Sequence, residues 1–426
     1  MPQISDEELL QLQSAVDELR ALNDIASAIN ISMSVEKITQ TTLEQCLKRT
    51  GAAQGAVFLL ENQSAQDKFK TFVREISPQG DQMPFRINMT LSGWMIKNKA
   101  ILLSNDPEND PRIKAAGFAK VGINTVLAAP LLARDGLLGL YVLFNKAGGG
   151  FTDADSRFLG IVGTQTAKVI DNARLFEQEQ KLKIIEKEVD VARKIQQGFL
   201  PKHNILTEQC EVYGFNEPAK QVGGDFYDMV EIEPGKLFVS LGDVAGKGLP
   251  AAMHMSTAQA VVRSQLAINT GDSLARIASS LNILMCHFMS PGEYITALFG
   301  FYDRQIEKFY YVNAGHLPII IHRKDGTLEH LRDSDVIIGI IPEMIYNVHE
   351  VPMHAGDTAV WYTDGITECF DTANQEFGEA RLDVAVRKTA GMSALEAGQS
   401  ILRDVLEFRG PADQSDDITL LVLKAH

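Results

Sequence analysis

Four aspartates stand where apolar runs of this chain begin or end, and together they could hold cations. Gly223-Gly224-Asp225 opens the run Phe226–Ile232, Glu233-Pro234-Gly235-Lys236 reverses the chain, and Leu237–Leu241 returns to deliver Gly242-Asp243. In a hairpin the start of one strand lies beside the end of the next, so Asp225 and Asp243 are expected to be neighbours. Val360-Trp361-Tyr362-Thr363-Asp364-Gly365 ends another apolar run in an Asp-Gly turn, and Ser415-Asp416-Asp417-Ile418-Thr419 starts the last one. Ionised carboxylates repel one another unless a cation or a proton relieves them. Four at one edge would make a hard, oxygen-rich site suited to magnesium or manganese. Two such ions about 3.5–4 Å apart can bind a phosphoryl group and activate a water. A single Asp-Gly at a strand end is ordinary turn chemistry. Four in one stretch, with glycines ahead of Asp225 and Asp243, point further.

The elements that must position these residues alternate strand runs with helices from Pro201 to the end. Strands are expected at Phe226–Ile232, Lys236–Leu241, Ala297–Tyr302, Lys308–Asn313, Pro318–His322, Thr358–Tyr362 and Ile418–Lys424. Helices are expected at Pro250–Ala267, Asp272–Phe288, Gly378–Lys388 and Ser393–Phe408. Strands outnumber helices and often follow one another directly, which favours an antiparallel α+β sandwich over a doubly wound sheet. Gly242 to Gly248 loosely mimics a nucleotide-binding loop, but one residue is missing before Gly246-Lys247 and Gly248 stands where Ser or Thr is required. Pro250 suits the first turn of a helix, leaving Gly246-Lys247-Gly248 as a flexible joint.

Ahead of Pro201, Leu175–Phe199 is a helical run: Leu175, Leu182, Val189 and Gln196 share one heptad position, and Gln178, Ile185, Ala192 and Phe199 another. It reads as a connector that pairs with a second copy in a homodimer. Asp6–Ile29 carries apolar residues at helical spacing, and the intervening chain mixes helix (Val35–Arg49, and Asp153–Leu175 with Thr152 as N-cap) with strand (Gly55–Leu60, Lys68–Val73, and a hairpin of Val126–Leu132 with Leu137–Asn145).

Composition bounds the rest. The chain has 426 residues, 45% hydrophobic and 22% charged, enough for more than one domain. Its net charge of −15 argues against a general nucleic-acid binder. The longest apolar stretches, such as Thr125–Leu132, fall well short of the roughly 18 residues of a membrane span. No secretory signal is read at the N-terminus. Cys46, Cys210, Cys286 and Cys369 lie far apart without zinc-like spacing, and a cytoplasmic location is expected.

Five ordered segments carry a resemblance: Gln221-Val-Gly-Gly-Asp-Phe-Tyr-Asp228, Gly242-Asp-Val-Ala-Gly-Lys-Gly-Leu-Pro-Ala-Ala252, Asn313-Ala-Gly-His-Leu-Pro318, Thr363-Asp-Gly-Ile-Thr-Glu368 and Asp416-Asp-Ile-Thr419. They resemble bacterial PPM-type (2C-like) serine/threonine phosphatases, in particular the sporulation and stress-response partner-switching branch. Arg193-Lys-Ile-Gln-Gln-Gly-Phe-Leu-Pro201 resembles the helix that precedes that domain. The resemblance implies an αββα sandwich and hydrolysis of phosphoserine or phosphothreonine by a metal-bound water. It implies that Asp243 bridges two Mn2+ or Mg2+ ions with the Val244 carbonyl as a further ligand, that Asp364 and Asp416 hold one ion, and that Asp225 completes the site. Asp417 could share the duty of Asp416. The implied substrate is a phosphorylated anti-sigma-factor antagonist. Eukaryotic members carry an arginine and a glutamate where this chain has Lys220 and Gly224. His316 is either a general acid or a structural part of its loop.

Leu91-Ser-Gly-Trp94, Asn105-Asp-Pro107 with Asp110-Pro-Arg-Ile113, and Ala129-Pro-Leu-Leu132 with Gly139-Leu-Tyr-Val142 are similar to GAF domains, which bind small molecules or dimerise. Asn145, Lys146, Phe151 and Asp155 are similar to the pattern of nucleotide-binding GAF domains, read here as supporting the fold. The expected organisation is an N-terminal helix (1–20), a GAF-like sensor (21–175), a helical, coiled-coil linker (176–200) and a phosphatase domain (201–426). The expected function is a signal-regulated phosphatase. The alternative is a catalytically silent scaffold of the same fold whose sensor and helix control partner binding.

Overall fold

The computed structural model describes residues 35–61, 68–76, 89–134, 136–268 and 274–426; the helix expected over 1–20 lies outside them. The described residues fall into two compact units that divide between Lys183 and Ile184.

The first unit begins with helix α1 (Val35–Thr50), whose buried side chains include Ile38, Leu43, Cys46 and Leu47. Strands β1 (Ala52–Glu61) and β2 (Lys68–Ile76), helix α2 (Met89–Asn98), and strands β3 (Leu102–Ser104), β4 (Val126–Ala133) and β5 (Gly136–Lys146) follow. They form an antiparallel sheet in the order β2-β1-β5-β4-β3. Helix α3 (Asp153–Phe199) is continuous, joining two runs that the sequence presents separately. Its Phe158, Leu159, Val162, Ala167 and Ile170 enter the core beside Leu43, Leu127 and Tyr141. Alternate side chains of the sheet enter a second core with Leu91 and Met95 of α2.

The second unit contains the last part of α3, then β6 (Ile205–Leu206), β7 (Cys210–Glu217), β8 (Phe226–Glu233) and β9 (Lys236–Val244). Helices α4 (Leu249–Ile268) and α5 (Leu274–Phe288) precede β10 (Ile295–Asp303), β11 (Lys308–Ala314), β12 (Ile319–His322), β13 (Leu328–Leu331), β14 (His349–Pro352) and β15 (Thr358–Tyr362). The short α6 (Asp364–Thr367), then α7 (Gly378–Arg387), α8 (Ala394–Arg409) and β16 (Ile418–Ala425) complete it. Ser393 caps α8 in a reciprocal box with Glu396.

Two sheets result, β14-β11-β10-β9-β8 and β13-β12-β15-β16-β7-β6. Their inner faces share one core, in which Phe309 meets Trp361 edge-on at 5.5 Å. Helices α4 and α5 cover the outer face of the first sheet with Met255, Val262, Leu281 and Met285. Helices α7 and α8 cover the second with Leu382, Val386, Ile401 and Val405. The layers are therefore helix, sheet, sheet, helix. This is the αββα sandwich expected from the sequence, within an α+β chain.

Candidate metal centre

The hairpin of β8 and β9 pairs Phe226 with Gly242, which places Asp225 beside Asp243 at one edge of the first sheet. In the second sheet β15 pairs with β16 through Tyr362 and Leu420, and the Thr363 amide continues the ladder to Thr419. That pairing brings Asp364, at the end of β15, beside Asp416 and Asp417, at the start of β16. A Cβ on Gly365 would lie 1.9 Å from the Asp417 carbonyl oxygen, so the Asp-Gly turn closes only with glycine there.

The carboxylates act on one another's ionisation. Burial, then the charges of Asp243 and Asp417, push Asp225 well above the ordinary carboxylate range. Asp243 is raised by burial and by the charge of Asp364, while a hydrogen bond from Asp225 pulls it back. Asp364 is raised by burial and by Asp416 and Glu368. Such unrelieved repulsion among all-oxygen donors fits a hard divalent cation. As the side chains stand, no three His, Cys, Asp or Glu among the described residues form a group that could hold an ion. Two of these carboxylates have other partners instead. Asp225 Oδ2 accepts the hydroxyls of Thr363 (2.7 Å) and Thr419 (2.6 Å). Asp416 pairs with Lys247 Nζ at 2.7 Å, and that ammonium also donates to the Ser415 carbonyl.

Asp417 behaves differently from its neighbour. Its Oδ1 accepts the Ala219 amide at 2.8 Å, and its Oδ2 accepts those of Gly224 at 2.7 Å and Asp225 at 3.4 Å. The carboxylate is therefore the anchor of the loop that presents Asp225. Gly224 has its own constraint: a Cβ there would lie 2.7 Å from the Val244 carbonyl oxygen, leaving no room for a glutamate. Lys220 is exposed, and its chain runs beside Gly248.

Sequence reasoning gave no role to Thr363, Thr419 or Gln196. Gln196 is buried near the end of α3; its Nε2 donates to the Gly223 carbonyl at 2.6 Å and its Oε1 accepts the Gly223 amide at 3.2 Å. Gln259 of α4 ties the Phe199 and Tyr227 carbonyls together. The end of α3 is thus fastened to the loop that carries Asp225.

His316 is buried, with Nδ1 2.7 Å from Thr296 Oγ1 and Nε2 3.1 Å from the Tyr362 carbonyl oxygen. Both ring nitrogens are engaged within the fold, which supports the structural of its two sequence readings. Burial lowers its pKa from 6.5 to about 4. Below the unfolded value the unfolded chain takes up a proton that the fold refuses, so the fold loses stability as pH falls from 6.5 to about 4. The loss is worth about 3 kcal/mol. Urea unfolding read from Trp361 in a Trp94→Phe background should show the advantage of wild type over His316→Gln shrinking by that order between pH 7 and pH 4.

In the first unit, Lys146 pairs with Asp155, and Asp155 also accepts the Thr152 amide and hydroxyl. Asn145 accepts the amides of Asn124 and Thr125, and Asn105 clamps the Phe151 main chain from both sides. Asn145, Lys146, Phe151 and Asp155 all serve contacts within the fold.

Comparison with known proteins agrees with this layout. Residues 233–426 match the family model described as Stage II sporulation protein E (SpoIIE), and residues 32–171 match that of the GAF domain. The phosphoserine phosphatase RsbU of Bacillus subtilis (strain 168) is 28% identical over 241 residues, covering 56% of this chain and 70% of RsbU. Protein IcfG of Synechocystis sp. (strain ATCC 27184 / PCC 6803 / Kazusa) is 27% identical over 298 residues, covering 62% of this chain but only 46% of IcfG. Among solved structures, the SiaA-PP2C domain of Pseudomonas aeruginosa superposes with a TM-score of 0.51 at 24% identity, covering 58% of this chain and 99% of that one. Residues 32–171 thus match a GAF domain and residues 233–426 match SpoIIE, on a two-sheet sandwich whose fold the SiaA-PP2C domain shares.

Proposed function

We propose that the second unit is a metal-dependent protein phosphatase acting on phosphoserine or phosphothreonine of a protein, and that the segment before it regulates it. The observation that carries this reading is the set of strand-end carboxylates at one edge of both sheets, raising one another's pKa values. Asp225, Asp243, Asp364 and Asp416, with the Val244 carbonyl, would hold two Mn2+ or Mg2+ ions. Bound there, the ions would supply charge for the phosphoryl oxygens and acidify water. Asp417 holds the Asp225 loop in place, and Lys247 and Lys220 bring positive charge to the rim. The substrate we favour is an anti-sigma-factor antagonist in its phosphorylated form, as the resemblance of the five motifs to the partner-switching branch implies; the likeness to the phosphoserine phosphatase RsbU supports phosphoserine as the group removed.

The test is hydrolysis of a phosphoserine protein by the full chain with manganese, magnesium or chelator. Turnover that needs the metal and stops with chelator is expected. Absence of turnover with every metal, for the full chain and for a series of shortened forms, would leave the silent scaffold as the better reading.

Regulation rests on the Gln196 clamp. A shift of α3 along or about its axis must move Gly223, two residues from Asp225. Leu175, Leu182 and Ile185, all on the heptad positions of the same helix, are more than half exposed, a stripe suited to a second copy in a homodimer. The first unit would bias that pairing as a sensor of a small molecule. The four cysteines are free, which suits a reducing cytoplasm. No helix among the described residues is long and apolar enough to cross a membrane. Gln196→Ala should lower turnover about 10- to 100-fold and flatten any dependence on protein concentration. Unchanged turnover in that variant would remove the clamp from the regulatory path.

A further inference from the structure

We propose that His316 is a positioning residue that clasps the two sheets together at the acidic edge and so sets the spacing between Asp243 and Asp364. The inference rests on the metal-centre reading above.

The hydrogen atoms can be assigned from the partners. A carbonyl only accepts, so the Nε2 facing the Tyr362 oxygen carries the proton. Nδ1 is then the acceptor, and the Thr296 hydroxyl donates to it. One neutral imidazole thus makes two directional bonds, to two different sheets. Thr296 lies on β10 directly opposite Asp243 on β9. Tyr362 is the last residue of β15, next to Thr363, whose hydroxyl holds Asp225, and two residues before Asp364. The clasp therefore runs from the strand that flanks one carboxylate to the strand that delivers another.

Its mounting is stiff. The Asn313 side chain accepts the His316 amide at 2.7 Å and donates to the His316 carbonyl at 3.1 Å, closing the turn from both ends. Gly315 within that turn has φ +72°, and a Cβ there would lie 2.1 Å from Ile337 Cγ2. The turn fixes the main chain that carries the ring, the two bonds of the ring fix its orientation, and with both nitrogens engaged it has no proton to give a substrate. Ligands of a metal are commonly fixed by such outer partners, whose loss costs about 10- to 100-fold in affinity or activity.

The experiment is manganese binding to the full chain by titration calorimetry, beside turnover of a phosphoserine protein at varied manganese. His316→Ala should weaken manganese binding about 10- to 100-fold and raise the manganese needed for half-maximal turnover by the same factor, with KM for the phosphoprotein unchanged. Thr296→Val, which removes only the hydroxyl, should weaken binding by about tenfold. The double variant should be no worse than His316→Ala, because both changes cut one link. His316→Gln, which keeps an N–H for the Tyr362 carbonyl, should recover part of the loss. Thr296→Val keeps the test available if His316→Ala does not fold. Wild-type manganese affinity in Thr296→Val, or additive losses in the double variant, would overturn the clasp while leaving the phosphatase reading intact. A wild-type chain that binds no manganese would overturn both.

Discussion

Replacing Asp243 by asparagine should lower phosphatase turnover by about 10²–10³-fold while leaving the fold in place. Asp243 stands on β9 beside the start of β8, and its ionisation is opposed by the charge of Asp364 and favoured by Asp225. Asparagine keeps the shape but replaces a charged acceptor with a neutral amide. A cation held by the cluster would lose its central ligand. The metal-free protein, in contrast, would lose a source of repulsion, so the variant should melt no lower than wild type in chelator. Saturating manganese separates the two effects. Wild type should gain about 2.7 kcal/mol of stability at a hundredfold excess over its dissociation constant, and Asp243→Asn should gain little. Equal stabilisation of both proteins by manganese, with equal turnover, would place the chemistry elsewhere.

The part of this site that was legible in the sequence follows from local geometry. A hairpin forces its two ends together, so Asp225 and Asp243 could be paired from the run–turn–run pattern alone, and Phe226 does face Gly242. The approach of Asp364 to Asp416 could not be read that way. Fifty-one residues lie between them, and only the adjacency of β15 and β16 joins them. Strand β7 was overlooked because only Cys210 and Val212 of its eight residues are buried, which leaves a weak alternating signal. Gln196 did leave a trace: it occupies a heptad position otherwise filled by Leu175, Leu182 and Val189. A polar residue in an apolar series usually has a specific partner, here the Gly223 main chain. The partners of His316 lie 20 and 46 residues away, and nothing local marks them.

The same limit hid the division of labour between Asp416 and Asp417, which the structure turns into the second large prediction. Asp416 sits at a bend just ahead of β16, so the two adjacent carboxylates face different partners. Asp416 faces Lys247 and the other acids, whereas Asp417 faces the main chain of the loop ahead of β8. Burial raises the pKa of Asp417 even though three N–H groups pull it down, so the carboxylate is held at a cost that only those donors offset. Asp417→Asn would set an NH2 group against at least one of them. Losing charge-assisted bonds at a buried site should cost about 2–4 kcal/mol, or about 2–4 °C of melting temperature for each kcal/mol in a unit of this size. Because the loop carries Asp225, turnover should fall as well, by about 10- to 100-fold. Asp416→Asn should show the opposite balance, with metal affinity lost and metal-free stability nearly kept, since the exposed Lys247 pair contributes little. Melting both variants in chelator decides the matter. If Asp417→Asn melts with wild type and loses only its response to manganese, Asp417 is a ligand and not the anchor of the loop.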